Sequence, residues 1–281
     1  MKIRNILVAL GESTYSQSIL DYSVFFAKKF QARLAGIYVK DIRILDGPAF
    51  NSVNDFLVHP PYFKVKKERI KASLDERGAK LKEYFLSICK DAGVSCSFQI
   101  DTGLISDVIL AKSSQFDLVV IGKKGEHASW LERHLGSVCT RVMHGINKPL
   151  LVVDHTELRE AKRILLCYAG GYFARNTLEF AKYIIAKTKC ELLVLTIGTK
   201  RTRAFQVQRE AKLYFDANKL EVHYLLSIGE VEREVMKIIK MENIDFLITG
   251  ASLHKNYEDF LSLCLTSKIL YDSNIPIFFV R

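Results

Sequence analysis

The sequence has no stretch approaching the roughly 18 consecutive apolar residues that a membrane-spanning helix needs. Its start, Met1-Lys2-Ile3-Arg4-Asn5, places charges inside the first apolar run and offers no small-residue cleavage site. Neither secretion nor membrane insertion is expected, and no membrane partner. The six cysteines, Cys89, Cys96, Cys139, Cys167, Cys190 and Cys264, form no CxxC and no Cys/His cluster at metal spacing. That argues against a zinc site or a disulfide framework and for a reducing, cytoplasmic location. Proline is sparse at 5 residues and glycine stands at 15, with 49% hydrophobic and 26% charged residues, which excludes collagen-like and disordered chains. Also absent are a G-x-x-x-x-G-K-[ST] P-loop, a G-x-G-x-x-G fingerprint and an H-x-G-H element. Ala169-Gly170-Gly171 lacks the preceding serine and following acid of the pyrophosphatase loop of adenylating enzymes.

The formal net charge is +10, spread over both halves of the 281 residues rather than gathered in a tail. Such an excess favours anionic partners without choosing among them. The densest run, Lys64-Val65-Lys66-Lys67-Glu68-Arg69-Ile70-Lys71, reads as the solvated face of a helix. No nucleic-acid reader motif accompanies the charge, so nucleic acid is not an expected partner.

What the chain does contain is a repeat. Arg4-Asn5-Ile6-Leu7-Val8-Ala9-Leu10-Gly11 returns as Lys162-Arg163-Ile164-Leu165-Leu166-Cys167-Tyr168-Ala169, each followed by a helical pattern, Ile19 to Phe30 and Leu178 to Ala186. Asp117-Leu118-Val119-Val120-Ile121-Gly122 matches Asp245-Phe246-Leu247-Ile248-Thr249-Gly250, and Lys148-Pro149-Leu150-Leu151-Val152-Val153 matches Ile275-Pro276-Ile277-Phe278-Phe279-Val280. Strands apolar throughout, with helices between them, belong to parallel sheets covered on both faces. The pattern predicts two tandem α/β domains, 1–155 and 160–281, each a doubly wound five-stranded parallel sheet with four helices. Ile6 and Ile164 lie about 30 positions further apart than Asp117 and Asp245, so the first half carries an insertion, around Asp41 to Lys71. A loop of that length is a candidate functional segment or a lid over apolar surface.

Ligands of doubly wound sheets sit beyond the strand carboxyl ends, where the strand order reverses. There the fourth strand of the first half ends in Gly122-Lys123-Lys124-Gly125, and a helix begins near Gly136-Ser137-Val138. Glycines admit close backbone approach, a helix start attracts phosphate, Ser137 adds a hydroxyl donor, and Lys123 and Lys124 add charge. A phosphate or nucleotide site is expected. His127 and His134 flank the single tryptophan, Trp130, and read as solvated loop residues; Cys139 reads as core, with a reactive thiolate as the alternative.

These residues together resemble the universal stress protein family, and the match spans both halves. The resemblance implies a flavodoxin-like fold of strand order 3-2-1-4-5. It also implies an adenine-nucleotide site, for ATP or AMP with Mg²⁺ possible on the phosphates, built on a motif G-x2-G-x9-G-[ST]. Carried across, Gly122 and Gly125 face ribose and α-phosphate, Gly136 and Ser137 hold the outer phosphates, and Val39 offers its backbone to adenine. Ala9, Gly11, Ile121, Lys124 and Val138 complete the expected site. Ten residues, Glu126 to Leu135, stand where the motif has nine, and Gly11 stands where the family has an acid that helps fix adenosine. In the second half Leu253 and Thr266-Ser267 replace the later glycines, so that half is expected not to bind. No nucleophile with a base partner and no paired carboxylates are evident, so a binding switch is favoured, with a slow ATPase and a nucleotide-free scaffold as alternatives. The resemblance further implies that the last strands of the halves pair as an intrachain pseudo-dimer, with a homodimer also open and the protein partner unknown.

Overall fold

A computed structural model describes residues 1–11, 13, 15–45, 60–124, 136–154, 157–158, 161–171, 174–250 and 268–281, with the side chains of 60–66 excluded. The first half runs β1 (Asn5–Ala9), α1 (Ser16–Phe30), β2 (Arg33–Asp41), α2 (Ile42–Leu45), α3 (Pro60–Asp91), β3 (Cys96–Gly103), α4 (Ile105–Ser113), β4 (Leu118–Gly122), α5 (Ser137–Gly145) and β5 (Leu150–Val153). The second runs β6 (Arg163–Cys167), α6 (Ala174–Thr188), β7 (Glu191–Gly198), α7 (Arg201–Ala217), β8 (His223–Ile228), α8 (Val231–Met241), β9 (Phe246–Gly250), a helix at 268–272, and β10 (Ile277–Val280). Among the described residues no helix is long and apolar enough to cross a membrane.

The strand order is β3-β2-β1-β4-β5-β10-β9-β6-β7-β8. Each half therefore has the expected 3-2-1-4-5 order, and the pairing of the last strands that the resemblance implies joins the two halves into one ten-stranded sheet. The join is antiparallel: Ile277 pairs with Val152, Phe278 with Leu151 and Phe279 with Leu150, while the pairings within each half are parallel. Strands buried on both faces need apolar residues at every position, and β4 and β5 meet that need. One face carries α1, α3, α6 and α7, with Phe26, Phe85, Phe180 and Phe215 buried against the sheet. The other carries α4, α5, α8 and 268–272, through Ile109, Val142, Val235 and Ile269.

The repeated aspartates have a structural cause. Asp117 accepts hydrogen bonds from the backbone N–H groups of Arg4 and Asn5 (2.8 and 3.0 Å), and Asp245 accepts from Lys162 and Arg163 (2.8 and 2.9 Å). Each ties the start of a fourth strand to the start of a first.

The insertion is not a loop throughout. Residues 42–45 form α2, and from Pro60 onward the chain is α3, 32 residues long, opened by prolines at positions where the missing N–H costs no helical bond. Lys67, Glu68, Arg69 and Lys71 are exposed on it, as expected of a solvated face. Residues 46–59 of the insertion fall outside the described residues.

Candidate nucleotide site

The sheet reverses direction of growth between β1 and β4, and a cavity of about 650 Å³ opens over their carboxyl ends. Its walls come from the end of β1 (Ala9, Leu10, Gly11), the end of β2 (Ile37, Tyr38, Val39, Asp41), Arg43 and Ile44 on α2, and Leu74 on α3. Ile105 and Ile109 on α4, Ile121, Gly122 and Lys124, and Gly136 to Cys139 at the start of α5 close it. Of the residues expected at the site, Ala9, Gly11, Val39, Ile121, Gly122, Lys124, Gly136, Ser137 and Val138 line this cavity and Lys123 does not, while Gly125 lies outside the described residues together with His127, Trp130 and His134.

Local geometry explains the glycines. The amide of Gly136 donates to the carbonyl of Lys123 (3.2 Å), which brings the start of α5 back to the end of β4. Gly136 precedes the helix with φ −56° and ψ 140°, a conformation open to any residue, so left-handed backbone is not what calls for glycine there. The first-turn amides of α5 have no intrahelical acceptors and carry the positive end of the helix dipole, which suits an anion. At Gly122 a Cβ would sit 3.1 Å from Ile19 Cδ1, and at Gly250 a Cβ would sit 3.0 Å from Thr177 Oγ1. The glycine ending the fourth strand thus admits the following face of α1 or α6 in both halves, with or without a ligand. Gly11 differs: a Cβ there meets nothing within 4 Å, and its carbonyl accepts a hydrogen bond from the Ser16 hydroxyl.

One expected charge is elsewhere. Lys123 is buried, and its Nζ donates to Asp154 Oδ2 (2.8 Å) and to the carbonyls of Tyr271 (2.7 Å) and Ser273 (3.1 Å). It caps the last helix of the second half rather than serving an anion. Lys124 does line the cavity, with Nζ 5.7 Å from the centre of the Tyr271 ring. A reciprocal contact crosses the other way, Arg281 Nη2 donating to the carbonyls of Met143 (3.2 Å) and His144 (2.8 Å) at the end of α5.

Asp41, Arg43, Ser13 and the α4 isoleucines also line the cavity and are not among the residues expected there from the sequence. Asp41 carried a usable signal, a carboxylate directly at the carboxyl end of an apolar strand, but it was counted as the first residue of the insertion. No group of three or more His, Cys, Asp or Glu side chains able to hold a metal occurs among the described residues.

Cys139 is core. It is buried, and burial pushes its thiol up to about 12, against a smaller opposite pull from Lys123. The thiol therefore stays protonated and shielded at pH 8, so iodoacetamide should label Cys139 negligibly until the chain unfolds, as peptide mapping would show. Rapid labelling of the native protein would contradict this.

In the second half, the turn after β6 is packed by α7. Tyr168 donates to Glu210 Oε2 at 3.3 Å, and a Cβ on Gly170 would lie 3.2 Å from Val207 Cγ1. Leu253, Thr266 and Ser267 lie outside the described residues.

A universal stress protein of Synechocystis sp. is 26% identical over 99% of this chain and 100% of its own length. Among solved structures, a universal stress protein from Archaeoglobus fulgidus covers 100% of this chain and 99% of its own at a TM-score of 0.80 and 17% identity. A functionally unknown protein from Pseudomonas aeruginosa PAO1 covers 99% and 92% at 0.65 and 14%. At these identities the two structures speak for the fold alone. Residues 2–154 match the universal stress protein family, more than half of the chain, and the chain belongs to that family.

Proposed function

We propose that this is a cytoplasmic stress-response protein whose first domain, 1–155, binds ATP or AMP as a regulatory switch, while the second, 160–281, does not. The observation that carries the reading is the convergence of Ala9, Gly11, Val39, Ile121, Gly122, Lys124 and Gly136 to Val138 on one cavity at the reversal of strand order, with the first turn of α5 at its edge. The volume falls within the range of small-molecule sites, and Ile37, Val39, Ile105, Ile109 and Ile121 supply apolar walls for a base. Binding would favour one state of the backbone between Gly122 and Gly136, and a partner protein would read that state. A homodimer is compatible with this reading and is not required by it, since the β5–β10 pairing is met within one chain.

Extraction of the purified full-length protein followed by mass analysis should return an adenine nucleotide, and calorimetric titration of the stripped chain should give one site per chain. Two equivalent sites would remove the asymmetry between halves, and no binding would leave the scaffold alternative. Gly11 provides a gain-of-affinity test. The family acid absent at this position can be restored as Gly11→Asp, because a Cβ meets nothing within 4 Å. A charge-assisted hydrogen bond to the ribose should tighten adenosine nucleotides about tenfold or more. Unchanged or weaker binding would count against an adenosine seated beside β1.

A further inference from the structure

The segment after β2 puts a second cationic edge on the cavity. Asp41, the last residue of β2, is buried, and its carboxylate accepts from the Arg43 backbone N–H at 2.9 Å, from Arg43 Nε at 3.0 Å and from Arg43 Nη2 at 2.6 Å. A guanidinium is planar, with five N–H groups in a fixed fork, so this arrangement uses the Nε–Nη2 edge and leaves the Nη1–Nη2 edge for another acceptor. Arg43 lines the cavity, its side chain 59% exposed, and Asp41 is its only recorded polar partner among the described residues. The carboxylate thus fixes the plane of the guanidinium before a ligand arrives, which lowers the ordering cost of a second bidentate contact.

Position decides what that contact takes. β1 lies between β2 and β4, and adjacent strands are about 4.7–4.9 Å apart, so the carboxyl ends of β2 and β4 are separated by roughly 10 Å. A single phosphate at the first turn of α5, beside β4, does not also reach a guanidinium folded onto Asp41 at the end of β2.

We propose that Arg43 binds, on its Nη1–Nη2 edge, a second phosphate of the ligand, distinct from the phosphate at the first turn of α5. The inference rests on the nucleotide reading of the cavity and narrows the ligand class to adenine nucleotides with more than one phosphate. Two sources share that chemistry: the outer phosphates of a 5′-polyphosphate folded back toward β2, and a phosphate on the ribose 2′- or 3′-oxygen.

Calorimetric titration of the full-length protein with AMP, ATP, adenosine 2′,5′-bisphosphate and adenosine 3′,5′-bisphosphate distinguishes them. At least one ligand with a second phosphate should bind the wild-type chain about tenfold tighter than AMP, and which one does so identifies the source. Arg43→Gln should bring that preference to within about twofold. Because Arg43→Gln also takes a cationic partner from Asp41, Asp41→Asn/Arg43→Gln is the companion variant, and it should lose the preference as well. The proposal is overturned by a wild-type chain that binds AMP as tightly as every other ligand. It is equally overturned if the preference persists in Arg43→Gln, or if the double variant retains it, which would assign the effect to Asp41 alone. Absence of any nucleotide binding by the wild type would instead remove the reading of the cavity itself, and this inference with it. Thermal melts of each variant in the absence of ligand confirm that folded proteins are compared.

Discussion

Phe278→Ala should lower unfolding stability by about 3–5 kcal/mol, among the larger losses open to a single substitution. Phe278 is fully buried on β10, the strand that joins the two halves of the sheet. Its ring packs against Phe26 of α1 (centroids 5.1 Å apart), Phe180 of α6 (5.1 Å) and Phe246 of β9 (6.2 Å), so it draws helices of both halves into one cluster. Truncation removes the transfer free energy of the ring, leaves a cavity that well-packed neighbours fill only partly, and forfeits edge-on ring contacts worth about 0.5–1.5 kcal/mol. Urea unfolding followed by circular dichroism would measure it, with a fall in melting temperature of roughly 10 °C. Phe278→Leu should cost far less. A loss below about 1 kcal/mol for alanine would show that this cluster does not hold the seam.

The second large effect is expected at Lys123. Its side chain is 6% exposed and that of Asp154 15%, so both charges have given up most of their hydration, and the ammonium also donates to the carbonyls of Tyr271 and Ser273. Lys123→Met keeps much of the volume but leaves a desolvated carboxylate without that cation and two carbonyls without that donor, at a cost of about 3 kcal/mol. Removing both charges, as Lys123→Met/Asp154→Asn, should recover at least about 1 kcal/mol relative to the sum of the single losses. Simple additivity would mean that the pair is not coupled. The result also bears on the lysines after β4, because a Lys123 that served an anion in the cavity would change nucleotide affinity far more than stability.

Most of the architecture was legible because it is written twice. An apolar run in β1 and in β4, an aspartate before each fourth strand and a proline before each last strand recur in each half, and the observed order follows. What the strand patterns did not contain was the union of the sheets, which depends on two edges meeting rather than on either strand alone; only the resemblance pointed to it. The insertion was misjudged as a loop because Gly47-Pro48 and Pro60-Pro61 are strong breakers. The second pair instead opens α3, where proline is compatible with a first turn. At the site, main-chain positions such as Val39 and Gly136 were legible because strand ends and helix starts are fixed by topology. Side-chain assignments were harder: Lys123 and Lys124 are identical in sequence, and only packing separates the buried cap from the cavity wall. Asp41 and Arg43 find each other two residues apart through a tight turn that a pattern of apolar residues does not encode.

The antiparallel β5–β10 pairing has a consequence for divergence. Where two identical chains assemble through such a seam, any change at one ligand site is repeated at the other, and association weakens on dilution. Here the partners are covalently tethered, so the seam forms at a fixed effective concentration whatever the abundance of the protein. The halves are thereby released from symmetry: each can change its own turn after the first strand, and here the turn after β6 packs against Val207 and Glu210 of α7 while the end of β1 opens on a cavity.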